Sequence, residues 1–223
     1  MDESLYLLER SVNYQFCDKQ LLVQALTHPS CGVAYNYERL EFLGDAVLEL
    51  MVSDLLYKKY RKFSEGLLTQ KRAEIVCAKS LAEIARAIDL GTYIFLGKGE
   101  ENTDGRNKTS ILENAMEAIL GAIYLDGGYE PAMQTVEMLF GNAILEAEGK
   151  SDYKSQLQES VQKTTRQDIV YTVDKQEGPP HNVTFYVNLS IGGKTICAGS
   201  GLSKKEAEQD AAKTAIKILE LDK

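Results

Sequence analysis

Between Asn36 and Leu50 the chain reads NYERLEFLGDAVLEL. Wound as an α-helix, this stretch gathers Glu38, Glu41, Asp45 and Glu49 within an arc of roughly 80°. Leu40, Leu43, Val47, Leu50 and Met51 collect on the opposite face, while Phe42, Leu48 and Val52 flank the acids. On an arbitrary helix an acidic stripe is most often a solvated face. Here the carboxylates crowd against apolar neighbours, where they repel one another and resist desolvation, so a cation or a cluster of donors is needed to keep them ionised. A hard divalent metal ion, which prefers oxygen ligands, meets that need.

A second stretch answers the first. Ser110 to Leu125, SILENAMEAILGAIYL, is almost continuously apolar after its first turn, and Glu113, Asn114 and Glu117 are its only large polar side chains. Such a helix is expected to be buried on most sides. Ser110 followed by Glu113 reads as a capping box, which gives Glu113 a structural task and leaves it out of the chemistry. Asn114 and Glu117, one helical turn apart, share a face, and Glu117 lies inside the apolar run. A buried charge without a partner is strongly destabilising, so Glu117 is expected to face the acidic stripe across a metal.

The segments ERLEFLGDAVL and ENAMEAILGAIYLDGG, together with THPS at Thr27 to Ser30, resemble the signatures of the ribonuclease III family. The resemblance runs over essentially the whole chain. It implies an all-helical endonuclease domain that forms a homodimer, with a long cleft carrying two symmetry-related sites that each cut one strand of double-stranded RNA. It also implies dependence on magnesium, with manganese able to substitute. The expected products have 5′-phosphate and 3′-hydroxyl ends with short 3′ overhangs, and the expected substrates are ribosomal RNA precursors and other structured transcripts. On that basis Glu41, Asn114 and Glu117 are the expected metal ligands, and Asp45 and Glu117 are the catalytic acids, Asp45 positioning the water. Glu38 supports the site or pairs with a neighbouring arginine. Asn114 departs from the aspartate more often found at its position; an amide oxygen can ligate a hard cation but brings no negative charge. The rival reading is therefore a double-stranded RNA-binding regulator that no longer cuts. Keeping Glu38, Glu41, Asp45 and Glu117 together favours the enzyme, because a pure binder has no need of four acids facing phosphates.

The acids need a scaffold, and the rest of the chain supplies one. From Leu5 to Tyr60 the pattern is helical, broken at Pro29. His28, beside that break, reads as a hydrogen-bonded structural residue. The basic run Tyr57 to Lys62 reads as a helix end complementing its dipole. Glu65 to Ile88 reads as an amphipathic helical region, Gly91 to Lys108 as a loop, and Pro131 to Leu145 as the last helix of a first domain spanning 1–148. Lys108, near the start of the second acidic helix, is placed to touch a phosphate.

A linker is expected at Glu146 to Ser151, before a second domain at 152–223. There Tyr153 to Thr164 reads as helix, Ile169 to Val173, Val183 to Ile191 and Lys194 to Ala198 as strands, and Leu202 to Leu221 as a closing helix. Gly192-Gly193 marks a hairpin. This α-β-β-β-α order resembles a double-stranded RNA-binding domain, with Gln156, Gln158 and Glu159 lining its first helix and His181 in the loop before its second strand. Ser203 and Glu206 form a capping box, which sets Lys204 and Lys205 at a helix N-terminus. Cations are disfavoured there unless an anion is to be met, so the pair reads as a phosphate contact.

Composition bounds these readings. The net charge of -8 lies wholly in residues 1–150, which hold 15 Lys and Arg against 23 Asp and Glu; residues 151–223 hold 10 of each. An acidic first domain suits a metal centre, since bound cations cancel carboxylates and recruit phosphate oxygens. Cys17, Cys31, Cys77 and Cys197 are scattered without metal-ligand spacing and read as ordinary buried thiols in a reducing compartment. No segment reads as a secretion signal or a membrane span, and no motif calls for an organic cofactor, so a cytoplasmic protein is expected.

Overall fold

The structure is a computed structural model and describes residues 2–147, 153–179 and 183–219. The chain divides into two compact units, Met1–Gly149 and Lys150–Lys223, each with its own hydrophobic core. The expected domain limits at 148 and 152 lie outside the described residues.

The first unit is all-helical: α1 (Asp2–Ser11), α2 (Lys19–Ala25), α3 (Glu38–Lys59), α4 (Glu65–Ile75), α5 (Ala78–Ala87), the short α6 (Lys98–Glu101), α7 (Thr109–Gly127) and α8 (Tyr129–Glu146). Its centre is α7, whose residues Ile111, Leu112, Ala115, Met116 and the run Ala118 to Ile123 are all buried, as the apolar pattern predicts. The most extensive packing in the unit is between α7 and α3. Leu40, Val47, Leu48, Met51, Val52 and Leu56 bury the inner side of α3. Leu50, expected on that side, is 58% exposed, because the buried arc of α3 is narrower than the hydrophobic pattern suggested.

Two glycines let the helices meet backbone to backbone. A methyl group on Gly44 would lie 1.8 Å from the carbonyl oxygen of Glu117, and one on Gly121 would lie 2.3 Å from the carbonyl oxygen of Leu40. Only the absence of a side chain at both positions permits this crossing.

Several sequence expectations need correction. The capping box at Ser110 does not form: α7 starts at Thr109, with Lys108 as its cap residue and no side-chain capping bond. The entry is set from outside, by Arg86 at the end of α5, which donates to the carbonyl of Asn107 at 3.0 Å and to the Thr109 hydroxyl at 3.3 Å. Glu65 to Ile88 is two helices, parted where Cys77 leaves the helical conformation with ψ near 154°. The region from Gly91 to Lys108 contains α6 and a 3₁₀ turn at Gly105–Asn107, gathered by Arg106, which pairs with Glu101 and donates to the carbonyls of Gly91 and Ile94. Cys17 and Cys77 are exposed and Cys31 and Cys197 half-buried, so none of the four is the buried thiol expected. No helix among the described residues is long and apolar enough to cross a membrane.

The second unit runs α9 (Tyr153–Thr164), β1 (Ile169–Glu177), β2 (Thr184–Ile191), β3 (Lys194–Gly201) and α10 (Lys204–Ile218). The strands form an antiparallel sheet in the order β1-β2-β3, in the expected α-β-β-β-α arrangement. Gly192 and Gly193 have φ of 57° and 79°, the two positive values that a tight two-residue hairpin matching strand twist requires. Leu157, Val161, Leu189 and Ile191 meet the small face Ala211, Ala212 and Ala215 of α10 to make the core.

Replacing Gly44 by alanine is expected to destabilise the first unit by about 3 kcal/mol, since an inserted methyl must push two backbones apart. Urea denaturation followed by circular dichroism measures it; a loss below about 0.5 kcal/mol would mean the crossing is looser than the structure describes.

Candidate active site

The crossing of α3 and α7 decides where the acids go. Because Gly44 rests on the backbone of Glu117, its helical neighbours Glu41 and Asp45 are carried to the Glu117 side chain. Glu113 and Asn114, one turn earlier on α7, join them. Tyr37, the residue just before α3, is 2% exposed, and its carbonyl accepts the first bonds of the helix from the amides of Leu40 and Glu41, both at 2.8 Å.

The electrostatics are those of like charges held together. Glu117 is 9% exposed, and its carboxyl is pushed up from the ordinary range to about 8, first by burial and then by Asp45, Glu113 and Glu41. Glu41 is raised by burial, then by Glu38, Glu113 and Asp45. Glu113 is raised by burial and by Asp45. No cationic side chain is among the groups acting on any of the three. Tyr37 is raised to about 12 by burial and then by Glu41.

Among the described residues no three His, Cys, Asp or Glu side chains already stand in a metal-holding arrangement. The donor set nevertheless fits a hard divalent cation. It offers carboxylate oxygens from Glu41, Asp45 and Glu117 and an amide group from Asn114, all oxygen donors of the kind such ions select. The upward shift at Glu117 marks a place where added positive charge would relieve repulsion.

Glu113, set aside from its sequence as a capping residue, acts on both Glu117 and Glu41. Its four-residue spacing from Glu117 was a usable signal, masked by the capping-box reading that the structure removes. Glu38 is exposed in the first turn of α3 and acts on Glu41. Glu49 is exposed and is not among the charges acting on Glu41 or Glu117. His28 is structural: its Nδ1 accepts from the Ser30 amide at 3.0 Å and caps a 3₁₀ turn. Lys108 is engaged by Glu100 at 2.6 Å and by the Thr103 hydroxyl at 2.8 Å, so it is not the free phosphate contact that its position suggested.

In the second unit Lys204 and Lys205 are exposed in the first turn of α10. Ser203 caps that helix by accepting from the Glu206 amide at 3.2 Å, and Glu206 reaches back to the Leu202 amide at 2.9 Å, one residue earlier than in the usual reciprocal cap. Gln156 is half-buried and Gln158 exposed on α9. The side chain of Glu159 and the whole of His181 lie outside the described residues.

Residues 18–146 match the family model described as Ribonuclease-III-like, and residues 153–219 match that of the double-stranded RNA binding motif. The chain is 46% identical over 223 residues to Ribonuclease 3 of Caldanaerobacter subterraneus subsp. tengcongensis, covering 96% of this chain and 98% of that protein. It is 45% identical over 216 residues to Ribonuclease 3 of Sulfurovum sp., covering 95% and 96%. Among solved structures it is similar to the nuclease domain of ribonuclease III from Campylobacter jejuni, at 47% identity and a TM-score of 0.61 over 64% of this chain and 96% of that one. A second structure of that domain, described for flexibility in a region involved in dimer formation, matches at 48% identity and a TM-score of 0.60, over 61% of this chain and 96% of that one.

The raised carboxyl of Glu117 sets a pH dependence. Folded, it keeps its proton up to about 8; unfolded, it releases it near the ordinary 4.5. The stabilisation this gives is complete below 4.5 and is lost as pH rises towards 8. In chelator, the melting temperature should therefore fall between these limits, and Glu117→Gln should be the more stable protein at alkaline pH by about 2 kcal/mol. A melting profile unchanged by the substitution would count against the buried, repelled carboxyl.

Proposed function

The chain belongs to the ribonuclease III family, and on that premise we propose that it cuts double-stranded RNA at the acidic crossing of α3 and α7 with magnesium held by Glu41, Asn114 and Glu117. It is an endoribonuclease, and its second unit is a double-stranded RNA binding motif. The observation that carries the assignment of the site is Glu117, a buried carboxyl whose neighbours are Asp45, Glu113 and Glu41. A solely structural role would leave this repulsion uncompensated.

When bound, the cation supplies a water-derived nucleophile and stabilises the leaving oxygen; manganese is a suitable substitute. Glu117 gives up its proton as the site fills. In this reading Asp45, exposed and among the charges acting on Glu117, accepts a hydrogen bond from the attacking water and so aligns it with the scissile phosphate. Attack in line breaks the bond from phosphorus to the 3′ oxygen, leaving a 5′-phosphate and a 3′-hydroxyl. Glu38 and Glu113 add negative charge around Glu41.

The substrate reading rests on α10. Its capped N-terminus carries free amides and the exposed pair Lys204 and Lys205, a combination that meets backbone phosphates without reading bases. Gln156, Gln158, Glu159 and His181 complete the RNA-facing surface in this reading. Structured transcripts, ribosomal precursor hairpins among them, are the substrates we assign. Homodimerisation belongs to the same proposal. Phe42 is 82% and Leu125 54% exposed, and both line one open groove with Leu21, Leu40 and Leu43 beside Gln24, Glu38 and Arg39, an exposed apolar patch with a polar rim that a second copy would cover. Pairing places two sites on one duplex, and their stagger produces the short 3′ overhangs.

Cleavage of a long perfect RNA duplex should require magnesium. Glu117→Gln should keep binding but lose cleavage by more than the roughly 100-fold that removal of an outer partner costs; unchanged cleavage would overturn its role. Alanine at both Lys204 and Lys205 should weaken duplex binding and lower the salt slope by about 2, one for each phosphate contact. An unchanged slope in a filter-binding titration would remove the pair from the interface.

A further inference from the structure

A lysine meets a phosphate best while no carboxylate of its own helix neutralises it, and opposite charges three or four residues apart on a helix do pair. Three acids follow Lys204 and Lys205 on α10. Glu206 is too near in sequence to face either lysine and Asp210 too far along, but Glu208 is four residues from Lys204 and three from Lys205. Both lysines are nevertheless exposed, and among the described residues neither is in an ion pair.

Glu208 is held elsewhere, by Lys154 in the first turn of α9. The Lys154 Nζ lies 2.7 Å from the Glu208 Oε2, with the two side chains 35% and 26% exposed, and it stands over the Tyr171 ring at 4.5 Å from the centroid. The main chain is engaged too. The Lys154 amide, one of the first-turn donors that a helix leaves without an internal partner, donates to the side-chain oxygen of Gln209 at 3.2 Å. Beside it Lys213 of α10 stands over the Tyr153 ring at 5.4 Å. The other two acids of α10 are likewise held from outside the helix, Glu206 by the Leu202 amide at 2.9 Å and Asp210 by the Ser200 amide at 3.0 Å.

We infer that Lys154 is a positioning residue for RNA binding: by holding Glu208 against α9 it leaves Lys204 and Lys205 free for backbone phosphates. The inference rests on the reading of that pair as phosphate contacts. It goes further in making their availability depend on a cation of another helix, one that acts on the RNA only through Glu208. Without the Lys154 charge, Glu208 stands at pairing distance in sequence from both lysines and takes one of them from the phosphates. Lys154→Met keeps an unbranched stem across the Tyr171 ring and removes the charge.

The test is a filter-binding titration of a long perfect RNA duplex against the full chain in chelator, over a range of salt, with urea denaturation of each variant as a check on folding. Lys154→Met is expected to weaken binding several-fold and to lower the salt slope by about 1, the mark of one lost phosphate contact. Lys154→Met combined with Glu208→Gln is expected to return affinity and slope to within about twofold and a few tenths of the parent, because the competing acid is gone. Lys154→Met combined with Asp210→Asn has the same net charge, keeps an oxygen for the Ser200 amide, and is expected to stay weak. Unchanged binding in Lys154→Met overturns the inference. So does failure of Glu208→Gln to restore it, which would mean that Lys154 touches RNA itself or acts through packing, and so does equal restoration by Asp210→Asn, which would reduce the effect to net charge. If alanine at both Lys204 and Lys205 leaves the slope unchanged, the phosphate reading of the pair fails first, a result separable from the others because Lys154 is intact in that variant.

Discussion

Where α3 crosses α7 there is no side chain between the two backbones. Gly44 and Gly121 face one another's helices so closely that the amide of each lies 3.0 Å from where the other's methyl would be. Glu41, Asp45 and Glu117 meet only because of this approach. Helices separated by ordinary side chains stand roughly 8–10 Å apart, which would leave Glu117 too far from α3 to share a ligand. The glycines therefore serve the site as much as the core.

The consequence is electrostatic. Packing that brings acids together must overcome their repulsion, and the apolar surroundings of α7 deny Glu117 the water that would screen it. Among the described residues no cationic side chain acts on Glu117, Glu41 or Glu113; Lys108 and Arg106, close in sequence, are paired with Glu100 and Glu101. The fold thus gathers carboxyl groups whose ionisation is disfavoured at one place, the site proposed above for a cation. The arrangement is the reverse of a structural ion pair, and it is why an acidic first unit is compatible with a polyanionic substrate.

The second unit solves a different problem by related means. The alanine face of α10 lets the helix lie against the sheet while its N-terminus, capped by Ser203, remains free to present Lys204 and Lys205. The two units have separate cores, each built around one helix with small residues on its contact face.

Periodicity and residue type by themselves determined much of this protein. The acidic arc of α3, the buried character of α7, the span of α9 and the glycine hairpin of the second unit are local, since each depends on side-chain spacing along one element. Tertiary structure decided what depends on two elements meeting. It made Gly44 and Gly121 the contact that assembles the site, although in sequence they are two glycines in helices. It moved the start of α7 to Thr109 through Arg86 and so returned Glu113 to the acids. It withdrew Lys108 into a pair with Glu100 and left Glu49 in solvent. A one-dimensional pattern shows which face of a helix is acidic or apolar; how closely a second helix can approach that face is a matter of volume, and volume is settled only when both backbones are in place.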